Sequence, residues 1–178
     1  MNGEYIKSLS QLDLALAALP FYERDGLIER DGGLFRNTKT GTVVTLDQLA
    51  KIVSVEQQRV KTLAEIPAAT EFLFVEHLAY DAAIIPWKKS TPAAALERLE
   101  GILKHMTDLA EEKFSSVQLL ETDVIAFVAE CGWTNAEALW PMRVALTAKA
   151  ASPSPFEVAW VLGKTATITR LKDAIALL

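Results

Sequence analysis

The chain has 178 residues, 51% of them apolar and 23% charged. That length excludes a free-standing multidomain enzyme, and that composition excludes a disordered chain, because there is apolar material for one medium domain or two small helical ones. Eighteen basic against 23 acidic residues leave a net charge of -5, which excludes a uniformly basic nucleic-acid coat but not a local basic site.

Ala, Leu, Glu, Lys and Gln recur at helical spacing while alternating β-branched runs are short, so the predicted class is all-α. In chain order, Asp25-Gly26, Asp31-Gly32-Gly33 and Lys39-Thr40-Gly41 punctuate the stretch before residue 44, which predicts a small hairpin or a loop insertion near 25–44. From Leu46 the residues Leu49, Ala50, Val53, Val60, Leu63 and Ala64 hold one stripe, behind a capping box of Thr45 and Gln48, and Pro67 is expected to end that helix. A composition shift at Ile85-Pro86-Trp87-Lys88-Lys89-Ser90 suggests a junction between subdomains 1–88 and 89–178.

Thr91 and Pro92 then read as N-cap and first residue of a helix about five turns long, carrying Leu96, Leu99, Leu103, Met106 and Ala110. Leu120, Val124, Phe127, Val128 and Cys131 mark another, closed by Gly132, with Cys131 expected as a buried thiol. Thr134 and Glu137 cap the next, in which Pro141 is expected to bend or restart the helix. Ser152-Pro153 is predicted to open a helix through Phe156, Ala159 and Trp160 that stops at Gly163, and Ile168, Leu171, Ile175 and Leu178 form a last stripe.

Catalytic constellations are missing from this pattern. His77 and His105 lie far apart, and the single cysteine supplies neither a disulfide nor a thiolate cage, so no metal site is expected. Gly163-Lys164-Thr165 resembles the end of a phosphate loop, yet follows a helix and lacks the earlier glycine. No Gly-x-Ser-x-Gly elbow is present, and acidic pairs such as Glu97 with Glu100 read as solvated helix faces. Charges interrupt every apolar stretch before the roughly 20 residues of a membrane span, and no basic, apolar leader opens the chain, so a cytoplasmic protein without membrane partners is expected.

Two clusters stand out, Trp140-Pro141-Met142-Arg143-Val144-Ala145-Leu146-Thr147 and Ser152-Pro153-Ser154-Pro155-Phe156-Glu157. Arg143 is a cation in an apolar, proline-edged setting and calls for a partner. Solvent or an internal carboxylate would serve, and so would an unstacked RNA base, on which a guanidinium stacks while its fork reads the base edge.

The first cluster resembles the Gln-Pro-Leu-Arg-x-Ala-Leu-Thr-Gly segment of bacterial glutamyl-tRNA synthetases, and the second resembles the segment that follows it. Leu162-Gly163-Lys164, Arg170-Leu171 and the last helix continue the likeness, Gln58-Arg59-Val60-Lys61-Thr62-Leu63-Ala64-Glu65 is similar to the family's Glu-Arg-Val-Lys-Thr-Leu helix, and Met1-Asn2-Gly3-Glu4-Tyr5-Ile6 to its Asn-Gly-x-Tyr-Ile-Arg segment. Trp140 stands where that family has glutamine, Ala148 where it has glycine, and Ser154 where glycine is common. The resemblance implies a C-terminal fragment of a class I aminoacyl-tRNA synthetase, made of two consecutive helical bundles of the anticodon-binding type. ATP and magnesium would belong to the missing catalytic domain, and the fragment itself would need no cofactor and catalyse nothing.

The implied partner is the anticodon loop of tRNA(Glu), with no DNA, and a monomer is expected because the apolar stripes are used by packing within and between the bundles. Position by position, the resemblance assigns anticodon contacts to Arg143, Ser152, Pro153, Pro155 and Phe156, and gives Arg59 the third anticodon base. A rival reading is a helical protein-interaction module in which Trp140, Trp160 and Phe156 line a partner groove.

Overall fold

The computed structural model describes residues 3–88 and 90–178, so Met1, Asn2 and Lys89 of the motifs above lie outside the described residues. Among the described residues the fold is all-α apart from one two-stranded sheet. Two compact units follow one another along the chain, Met1–Glu76 and His77–Leu178. The stretch read as a junction belongs to the second unit, because Ile85 is fully buried and the Trp140 indole donates to the Ile84 carbonyl at 3.1 Å.

The first unit opens with α1 (Gly3–Ser8) and α2 (Gln11–Arg24), whose N-cap Ser10 accepts from the Asp13 amide. Next comes the hairpin β1 (Ile28–Asp31) and β2 (Leu34–Asn37), antiparallel with Ile28 opposite Asn37. Its two-residue turn needs positive φ at both central positions, and Gly32 and Gly33 supply 57° and 89°. Helix α3 (Leu46–Ser54) starts at the expected capping box of Thr45 and Gln48 but ends ten residues earlier than its apolar stripe implied.

The Val53-Ser54-Val55 run is poor in helix propensity, and the chain turns there so that buried Gln57 donates to the carbonyls of Ile6 and Leu9, both at 2.9 Å. Pro67 accordingly starts a helix instead of ending one: it sits in the first turn of α4 (Ile66–Thr70), where its missing amide costs nothing. Leu14, Ala18, Tyr22, Val53, Ile66 and Phe74 form the core, and the Tyr22 hydroxyl meets that of Thr70 at 2.7 Å. Burial pushes the Tyr22 phenol well above its ordinary range.

In the second unit α5 (Pro92–Asp108) has the expected Thr91 cap, and α6 (Val117–Glu130) ends in the expected glycine turn, with Gly132 at φ 71° and the Trp133 amide reaching back to Val128. Cys131 is exposed, contrary to the buried thiol expected, because it caps this helix instead of lying on its inner stripe. Helix α7 (Asn135–Thr147) runs on through Pro141 without restarting; the ring is buried, and packing offsets the lost amide bond.

The last helix, α8 (Pro155–Ala176), begins at a Ser154 and Glu157 capping box, two residues later than the Ser152-Pro153 start predicted. Either serine–proline pair fits the cap pattern, and the second one also has glutamate at the third helical position. Gly163 does break the helix, at φ 74° and ψ 175°, but helical backbone resumes at once.

The α5–α6 layer contains a tight approach. A Cβ on Gly101 would stand 2.5 Å from the Trp133 ring, which is itself held between the Phe127 edge, 5.8 Å away centroid to centroid, and the Arg98 guanidinium at 4.8 Å. Gly101→Ala should therefore lower stability although alanine favours helix by about 1 kcal/mol, since overpacking a held ring costs about 1 to 3 kcal/mol. Urea unfolding checks this, and a higher midpoint would contradict it.

Candidate nucleic-acid interface

Arg143 lies on the C-terminal half of α7, half-buried between neighbours that are buried on both sides. Its Nε is buried and makes no hydrogen bond among the described residues. A buried donor without an acceptor costs free energy in the free protein, while the Arg143 side chain as a whole keeps partial exposure.

The backbone around it is held by Thr147, fully buried, whose hydroxyl donates to the Arg143 carbonyl at 2.8 Å and accepts from the Lys149 amide at 3.2 Å. Between them Ala148 closes α7 in a left-handed conformation, φ 57° and ψ 21°. That geometry explains why the resembled segment has glycine there: a Cβ is unfavourable where the chain turns left-handed.

The connection then runs to α8. The Ser152 hydroxyl donates to the Pro153 carbonyl at 2.9 Å, and the Ser154 amide donates to the Glu157 carboxylate at 2.7 Å. Ser152 and Ser154 are half-buried, whereas Pro153, Pro155 and Phe156 are buried, Phe156 to 5% exposure. In this conformation Phe156 supports the loop from beneath and offers no open ring face. A groove jointly lined by Trp140, Trp160 and Phe156, as the rival reading required, loses its phenylalanine to the core.

Arg170 was visible in the sequence only as part of a resembled segment, yet it heads the large, fully buried side chains, at 1% exposure. Its Nη1 donates to the Leu146 carbonyl at 2.6 Å, tying α8 to the last turn of α7. Burial lowers its pKa to about 10, opposed by the nearby Asp173 and Tyr80, so it stays charged at neutral pH. Asp173 also meets His77 Nδ1 at 2.7 Å, so His77, read as an ordinary helix residue, instead sits outside any helix and faces a carboxylate.

Lys164 of the phosphate-loop look-alike donates to the Leu109 carbonyl at 2.5 Å, which makes it a tie between helices. Among the described residues no cluster of His, Cys, Asp and Glu is arranged to hold a metal, and no helix is long and apolar enough to cross a membrane.

Arg59 belongs to the first unit. It sits in the turn after α3, where Nη1 donates to the Val55 carbonyl at 2.6 Å and lies 4.0 Å from Glu56, with the side chain half exposed. The two resembled segments of this unit meet in space: a Cβ on Gly3 would be 3.6 Å from the Lys61 backbone. The hairpin cations are used locally, Arg30 against Glu23 and Arg36 against Asp31 at 2.6 Å.

Two mostly helical units, the second carrying Arg143 on α7 and the serine–proline segment that follows it, define a helical module. The comparisons give the family. Residues 13–175 match the family described as an anticodon binding domain, and the chain belongs to that family.

Among curated proteins, it is 29% identical to a glutamate–tRNA ligase of Herpetosiphon aurantiacus over 177 residues, 99% of this chain and 33% of that protein. It is 33% identical to a glutamate–tRNA ligase of Clostridium novyi, covering 98% of this chain and 33% of that one. The chain thus spans about a third of the length of the curated relatives it matches. Among solved structures, a glutamate tRNA ligase of Elizabethkingia meningosepticum shares the fold with a TM-score of 0.73 at 17% identity, over 99% of this chain and 31% of that one.

Ala148→Gly should raise stability by roughly 1 kcal/mol, because it removes the left-handed Cβ penalty at the end of α7. Chemical denaturation measures this, and an unchanged or lower midpoint would show that Ala148 bears no strain.

Proposed function

We propose that this chain grips the anticodon loop of tRNA(Glu), as the RNA-recognising part of a longer glutamate–tRNA ligase. The observation that carries the reading is the anticodon-binding family match over residues 13–175, and what supports it locally is Arg143, a half-buried cation on α7 a few residues before the Ser152 segment. Anticodon loops present unstacked bases whose edges carry acceptors, and an arginine fork discriminates between bases by about 1 to 3 kcal/mol. Ser152 adds a hydroxyl at the same loop, while Pro153, Pro155 and Phe156 act by shaping and supporting it.

Arg59 would read the third anticodon base from the other unit. Its guanidinium is positioned by the Nη1 bond to the Val55 carbonyl, and half of the side chain is exposed. Activation of glutamate with ATP and magnesium would lie in the remaining two thirds of the ligase, leaving this chain a non-catalytic monomer working in the cytoplasm. The net charge of -5 makes the RNA contact local, so affinity should depend on a few cations and fall with ionic strength.

The test is binding of a tRNA(Glu) anticodon hairpin. Arg143→Ala should weaken it about tenfold to a hundredfold with helicity retained, and added salt should weaken the wild type; equal binding by a folded variant would defeat the assignment. Arg59→Gln should narrow the preference for the glutamate over the glutamine anticodon hairpin, and an unaltered ratio would count against the role given to Arg59.

A further inference from the structure

We propose that Trp87 and Trp140, covered by Lys88, form a stacking seat for one unpaired base of the loop that Arg143 engages, an inference that rests on the anticodon-loop reading. The two indoles lie with centroids 5.0 Å apart at 59°. Trp140 is held by its Nε1 bond to the Ile84 carbonyl at 3.1 Å, and both residues are partly exposed. Trp140 precedes Arg143 by three positions on α7, which puts both on one side of the helix.

Lys88 adopts φ 32°, a backbone conformation that non-glycine residues rarely take, in a turn closed by the Ser90 amide on the Trp87 carbonyl at 2.5 Å. The Lys88 ammonium lies 4.6 Å from the Trp87 ring centroid.

An exposed ammonium over a ring is a replaceable cover. A nucleobase stacking on the indole takes its place, and the lysine then has a phosphate of the same strand to pair with. Because every base has a π face, the seat contributes affinity and orientation, and leaves base identity to the Arg143 fork. Trp140 stands where the resembled segment has glutamine, so the seat is a feature of this chain's own residues.

The test uses the whole chain and a hairpin carrying the tRNA(Glu) anticodon loop, with abasic substitutions at each loop position in turn. Trp87→Leu should weaken binding roughly tenfold, and Trp87→Tyr should restore it. One abasic position should cost the wild type a similar factor and cost Trp87→Leu nothing more. If Trp87→Leu fails to fold, the wild-type tryptophan emission decides: quenching by the intact hairpin that disappears with one abasic position supports the seat. Full-strength binding by folded Trp87→Leu, or absence of any such quenching, overturns the seat while Arg143 retains its role; failure of the wild type to bind the hairpin overturns both.

Discussion

The Arg170 guanidinium, buried against the Leu146 carbonyl, is the contact on which the second unit's geometry depends. A cation taken out of water is costly unless it meets acceptors, and the last carbonyls of a helix are acceptors at the negative end of its dipole. Meeting that need fixes where α8 crosses the end of α7. From there the rest follows along the chain: Thr147 ties Arg143 to Lys149, Ala148 turns left-handed, and Ser154 restarts the helix under its capping box.

Arg143 keeps its Nε buried without a hydrogen bond, on a backbone whose carbonyl is held by Thr147. An unmet donor is a modest loss in the free protein.

The first unit is organised by different means. Side-chain amides substitute for regular structure: Gln57 satisfies carbonyls at the end of α1 and Asn37 donates to Phe74 at 2.8 Å. These bonds let short helices and a hairpin pack without a long continuous stripe, which is why the apolar periodicity past Val53 misled as a helix signal. Valine and leucine there are buried through turns, and periodicity alone does not separate the two cases.

Much was legible in the residues themselves. The all-α class, the caps at Thr45, Thr91 and Thr134, the glycine stop at Gly132 and the break at Gly163 all follow from local chemistry, because a cap or a positive φ is satisfied within a few residues. The resemblance of the Arg143 and Ser152 segments likewise came from linear order. Tertiary structure alone decided that Pro67 begins a helix, that Ser154 is chosen over Ser152 as cap, that Cys131 faces out and Phe156 in, and that Arg170 is the buried cation. Each of those outcomes depends on which neighbour from a distant part of the chain supplies an acceptor or covers a face, and that information has no local signature.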